Sequence, residues 1–299
     1  MSPHSDRDHR PIQIAFKGAT DTPGDVDLDL GSLWFAKNPA AFPPPAIARV
    51  EEKIYTWSHT WSQSRSRTTH TLTAAVRWTY NLSTTKIRLT WDASNPGLTV
   101  KAEQKHFPPP TPLSPRELTV QQHRYSDRIA RWCESRVGTQ VGNGQCWTLA
   151  HDALEAVAKE SRARGEEPVM ISSCTTHGCC IYAHYTPSIP SPPGGPEAAG
   201  IGRGDILQFK SSHFVHVDPK NPSSKWESWA GAKKGTGGIP DHTAVVVGID
   251  GRVLRVLEQN VGGVLKVREG TYQLDEMVDG EVRAFRAVGE NWCPLETSW

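Results

Sequence analysis

Residues 140–150, QVGNGQCWTLA, fix more of this chain than any other stretch. Small and polar residues (Gly142, Asn143, Gly144) run straight into Cys146. From there Trp147, Leu149, Ala150, Ala153, Leu154 and Val157 recur at helical spacing, which predicts a helix from Cys146 to about Arg164. A thiol at a helix start sits among free N–H groups at the positive end of the helix dipole, where its anion is stabilised. That is the setting of a nucleophilic cysteine. A small buried thiol opening a core helix would leave the same pattern.

The C-terminal third supplies partners for a nucleophile. Asp241-His242-Thr243 leads into AVVVGID, read as a strand, and Asp250-Gly251 reads as a hairpin turn. VLRVLEQN then reads as the returning strand, over about 253–260. Cys146 on a helix start, His242 on a strand start and Glu258 with Asn260 on the next strand form a nucleophile, base and orienter set. Glu258 and Asn260, two apart on a strand, are expected to face the same side. Gln140, six residues before Cys146, suits an oxyanion donor. His213 and His216 compete with His242 for the role of base.

The run GNGQCW, GDILQF at 204–209, HTAVVVGIDG and VLEQN is similar to the NlpC/P60 and CHAP superfamily of papain-like cysteine amidases and peptidases. The resemblance covers about 123–288. It implies an α+β, papain-like fold in which a Cys-bearing helix packs on an antiparallel sheet, with Cys146, His242, Glu258 and Asn260 as the site and no metal or organic cofactor. The long Cys146-to-His242 interval and the region 1–115 depart from the bacterial pattern. The combination also resembles the C-terminal cysteine-proteinase-fold domain of fungal myosin-tail-interacting adaptors of cortical actin patches. That kinship implies an excised domain or a relative, with cytoskeletal partners.

Composition sets the outer bounds. With 37% hydrophobic and 22% charged residues and a formal charge of +1, the chain reads as a globular protein without a global pull toward nucleic acid or membrane. No apolar run reaches the roughly 18 residues of a membrane span. The polar start MSPHSDRDHR is not read as a signal peptide, and six cysteines in 299 residues make no disulfide framework, so reduced thiols and a cytoplasmic location are expected.

Three regions are expected: a disordered 1–10, a β-rich 11–110, and a papain-like 116–299. Strands are predicted at 11–17, 25–35, 50–62, 70–80, 84–92 and 98–105, with a turn at Asn95-Pro96-Gly97. Trp57, Trp61, Trp78 and Trp91 fit a binding platform or sheet core. FPPP at 42–45 and FPPPTPLSP at 107–115 read as connectors or SH3-type ligands. A helix is predicted over 119–136. Cys174, His177, Cys179 and Cys180 lie close enough to consider zinc, although structural thiols fit the irregular spacing better. Residues 186–204 read as a surface loop, with Asp205 a turn former. Residues 210–240 read as a long loop able to act as a lid over the cleft, and the last strands as 264–269 and 281–288. The leading functional expectation is hydrolysis of an amide bond in a peptide or protein substrate. The alternative is a non-catalytic interaction domain.

Overall fold

The computed structural model describes residues 23–37, 41–50, 53–173, 175–186, 195–218, 220–231 and 241–299. The segments 1–10 and 11–17 lie outside them, as do the centre of the 186–204 loop and residues 232–240. The described architecture is α+β, in two compact units.

The first unit comprises residues 1–110 and 294–299. A short helix, α1 (Pro45–Ala48), precedes strands β1 (Lys53–Ser64), β2 (Arg67–Trp78) and β3 (Thr84–Asp92). One helical turn, α2 (Pro96–Thr99), then leads to β4 (Lys101–Phe107). The four strands form an antiparallel meander. Alternation decides its core: Leu72, Ala74, Val76 and Trp78 of β2 share a face with Ile87, Leu89 and Trp91 of β3. Leu28, Trp34, Phe35, Phe42 and Ile47 close over that face. At about 1.5–3 kcal/mol per fully buried large apolar side chain, these contacts hold the unit together.

Several expectations are corrected here. Residues 25–35 form no strand, because Asp29 and Leu33 adopt left-handed backbone and the chain winds into 3-10 turns at Leu30–Ser32 and Trp34–Ala36. Pro96 and Gly97 begin a helical turn, so β4 starts only at Lys101. The tryptophans divide: Trp78 and Trp91 are core residues, whereas Trp57 and Trp61 on β1 are 36% and 64% exposed. Phe42 is buried and Pro45 opens α1, so residues 42–45 are not a free polyproline ligand.

The second unit spans Thr111–Cys293. Helix α3 (Pro115–Gln121) starts at a complete capping box, Ser114 with Glu117, and has Pro at its first position. One π turn at Gln122–Ser126 joins it to α4 (Asp127–Glu134), so the single helix expected over 119–136 is interrupted. Helix α5 (Cys146–Ala163) follows, then β5 (Cys179–Thr186), α6 (Gly195–Ala198), β6 (Ile206–Asp218) and β7 (Asn221–Ala230). Strands β8 (Asp241–Asp250), β9 (Val253–Glu258), β10 (Arg268–Tyr272) and β11 (Met277–Arg286) complete the unit. They form one antiparallel sheet in the order β10-β9-β8-β6-β11-β5, with β7 paired to β6. Leu149, Ala150, Ala153, Leu154 and Val157 of α5 pack on Ile206, Val245 and Leu257 on one face of that sheet. Phe209, Ala244, Val246 and Val256 form a second core on the other.

The interval 210–240 is not one loop. β6 runs on to Asp218 and β7 returns, so most of the expected lid is a β-hairpin. β9 ends at Glu258, because Asn260 takes a left-handed φ of 62°. The last two strands lie at Arg268–Tyr272 and Met277–Arg286, offset from the expected positions. The Gly204-Asp205 pair has structural work. Gly204, at φ 85°, passes so close to the Ser126 backbone that a Cβ would overlap it. Asp205 bonds the Gly202 amide and pairs in two-pronged fashion with Arg286, both buried. Removing either partner of such a pair costs about 3–5 kcal/mol.

Candidate active site

The loop before α5 turns on Gly142 and Gly144, whose φ values of 53° and 82° only glycine adopts freely. Gln145 is extended and caps the helix, and Cys146 is its first residue. The loop is tied down by a residue the sequence did not single out. Gln259, fully buried, donates from Nε2 to the carbonyls of Val141 and Gln145 and to Thr148 Oγ1, at 3.1, 2.6 and 2.8 Å. Its Oε1 accepts from the Val141 amide at 3.2 Å. The strand bearing Glu258 thus holds the loop bearing Cys146.

His242 lies at the start of β8, 4% exposed, and its Nε2 is 2.9 Å from Glu258 Oε2. Glu258, 3% exposed, also accepts from the Tyr272 hydroxyl at 2.8 Å on the same oxygen. Arg268 Nε stands 3.9 Å from its other oxygen. With Nε2 committed to Glu258, His242 has Nδ1 left for Cys146. Gly270 on β10 has no side chain because the Glu258 carboxylate occupies that space, and a Cβ there would overlap it.

The electrostatics follow from these contacts. Burial alone pushes the Cys146 thiol up. Hydrogen bonding to His242, the charge of His242 and the amides of Thr243 and Trp147 outweigh burial and bring it below its ordinary value. Burial disfavours the His242 cation, but Cys146 and Glu258 together raise it to about 9. Burial raises Glu258, and His242 and then Tyr272 bring it below the usual carboxylate range. The favoured state is a thiolate beside an imidazolium, backed by a carboxylate.

These groups border a cleft of about 390 Å³, lined also by Gln145, Trp229, Asp241, Asn260 and Tyr272. Asn260 reaches it from beyond the end of β9, so strand alternation does not place it there, and its Nδ2 donates to Gln145 Oε1 at 3.1 Å. Gln140 is not brought to the cleft. Its amide donates to the Gly142 carbonyl at 3.3 Å, and Gln145 takes the place beside Cys146. The competing histidines have other partners. His216 is held by Glu276 and Ser228 at 2.6 and 2.7 Å, and His213 stacks on Trp229 at 4.1 Å. His177 is buried with both ring nitrogens in hydrogen bonds, to Ser172 and Gln208, which leaves neither for zinc. Cys174, the first residue of that motif, lies outside the described residues.

Residues 103–297 match the AIM3/BBC1 cysteine proteinase-fold domain family. The chain belongs to that family. Its α+β fold, with helix α5 packed on the antiparallel sheet, is papain-like. Altered inheritance of mitochondria protein 3 of Debaryomyces hansenii is 26% identical over 302 residues. The match takes in 96% of this chain but 29% of that protein, so this AIM3/BBC1-type chain spans less than a third of its relative's length. Two solved structures, the crystal structure of Ly7917 and that of Ly7917 with the hydrolyzing product of MDP, are 17% and 18% identical. Each match covers 54% of this chain, and 62% and 63% of those chains, with TM-scores of 0.29 and 0.26. Among the described residues no helix is long and apolar enough to cross a membrane.

Proposed function

We propose that the second unit is a cysteine hydrolase acting on an amide bond of a peptide or protein. The observation carrying this reading is the contact of His242 Nε2 with Glu258 Oε2 at 2.9 Å, in a cleft where the same ring lowers the pKa of the thiol at the start of α5. The Cys146 thiolate attacks the carbonyl carbon. The His242 imidazolium gives its proton to the leaving amine as the C–N bond breaks. Water, deprotonated by the imidazole, then releases the acyl group as a carboxylic acid and restores the thiolate and the imidazolium. Glu258 holds the ring and stabilises its cation. Asn260 engages Gln145 Oε1, which leaves the Gln145 amide nitrogen to meet the developing oxyanion. This chemistry needs no cofactor.

The test is alkylation by iodoacetamide, read cysteine by cysteine across pH. Near pH 6, Cys146 is expected to react at least about tenfold faster than Cys180, an exposed residue whose sulfur nonetheless packs out of water and is pushed up to about 11. Equal rates would overturn the reading.

A second reading has its own support, because the match covers only 29% of a longer relative. In it the unit is a peptide-binding domain of a cytoskeletal, actin-patch adaptor. Cys146→Ala separates the two. A hydrolase loses several orders of magnitude of turnover when its nucleophile goes, whereas an adaptor keeps its biological role.

A further inference from the structure

The cleft carries a charge that the proposed chemistry does not use. Among its described lining residues Cys146 and His242 form the reacting pair, and none is a lysine or an arginine. Asp241 remains. Its backbone carbonyl lies 3.9 Å from the Cys146 sulfur, so the residue adjoins the point of attack. Its carboxylate is partly buried and makes no ion pair or hydrogen bond among the described residues. It feels Lys210, its exposed register partner on β6, and Glu281 only through their fields. Burial accordingly raises its pKa. A half-buried carboxylate without a partner is costly, and a cation entering the cleft would relieve that cost. Trp229 lines the same cleft, with His213 stacked on one face of the indole. An aromatic ring and a carboxylate in one cleft suit an ammonium or guanidinium group.

We propose that the cleft selects a substrate with a positive group next to the scissile amide, a lysine or arginine side chain or a free α-amine, held by Asp241 against Trp229. The proposal names the substrate class for the hydrolase reading and rests on it. It calls for no movement of the chain, only a field aimed at the position from which Cys146 is approached.

The test uses the whole chain and three small thiol reagents. These are cationic 2-(trimethylammonio)ethyl methanethiosulfonate, anionic 2-sulfonatoethyl methanethiosulfonate and neutral methyl methanethiosulfonate. Rates at Cys146 are followed by peptide mass spectrometry at low salt. The native protein is expected to favour the cation over the anion. Asp241→Asn should reduce that ratio about tenfold, the effect of one unit charge at close range acting on reagents of opposite sign. Asp241→Glu, which keeps the charge, should preserve most of the ratio. Each rate is divided by that of the neutral reagent with the same protein, which removes any change in the reactivity of the thiolate itself. A ratio unchanged by Asp241→Asn, or an anionic preference in the native protein, overturns the proposal. A Cys146 no faster than the other thiols toward the neutral reagent near pH 6 instead overturns the hydrolase reading. The two failures are therefore read in different columns of one data set.

Discussion

Tyr272 and His242 share one oxygen of Glu258, and the consequences are readable in a pH profile. Cys146 lies below the ordinary thiol value and His242 is raised to about 9, so both are charged between these limits. Alkylation of Cys146 should rise on a limb below the ordinary thiol range and change again near pH 9 as His242 loses its proton. Tyr272→Phe removes one donor that keeps Glu258 ionised. Less negative charge on Glu258 weakens the imidazolium, so the acidic limb should move to higher pH, by at most about 0.7 of a pH unit for a hydrogen bond of roughly 1 kcal/mol. An unmoved limb would show that Tyr272 merely packs there. Sequence reasoning reached Cys146, His242 and Glu258 because each stands at the start or end of a periodic run. It did not reach Tyr272 or Gln259, which have no local signature; Gln259 finds Val141 118 residues away. Gln140 stands at a suitable spacing from Cys146, but after the turn at Gly142 and Gly144 its side chain bonds the Gly142 carbonyl and Gln145 lines the cleft.

Among the elements, the end of β9 shows how much chemistry three consecutive residues hold. Glu258 faces His242, Gln259 faces the loop before α5, and Asn260 leaves the strand to reach Gln145. A one-residue slip would exchange carboxylate and amide, placing a charge against two carbonyl oxygens and a neutral group against the imidazole. The neighbouring strand β10 contributes by what it lacks. Gly270→Ala would force the Glu258 carboxylate aside. The expected result is a fold destabilised by about 1–3 kcal/mol, with the low-pH advantage of Cys146 lost even where the protein is fully folded. Thermal melting and alkylation of the same sample check both halves. The elements with strong periodicity, α5 and strands β1 to β3, were legible in the sequence. The β6–β7 hairpin was not, because its outer half, VDPKNPSSKWES, carries few apolar residues and its order comes from pairing with β6.

In the whole molecule, two units were suggested by the Pro-rich 107–115 run, and the described contacts divide the chain at Pro110. The sequence does not indicate that residues 294–299 group with the first unit, where Lys86 donates to the Ser298 carbonyl and Trp299 lies under Arg88 and Lys105. Within the second unit, the carboxylate that orients His242 leans on β10, a five-residue strand at the end of the sheet order, bonded on one side to β9. Terminal strands open by local fluctuation more readily than central ones such as β8. Hydrogen exchange should therefore find the amides of Arg268–Tyr272 exchanging well before those of β8. Under mild denaturant the low-pH reactivity of Cys146 should fade while the tryptophan signal of the folded unit persists. Equal protection of the two strands would contradict this. If the amides behave as expected, the domain carries an easily melted strand next to its reactive centre, and its chemistry can be switched off by a fluctuation far smaller than unfolding.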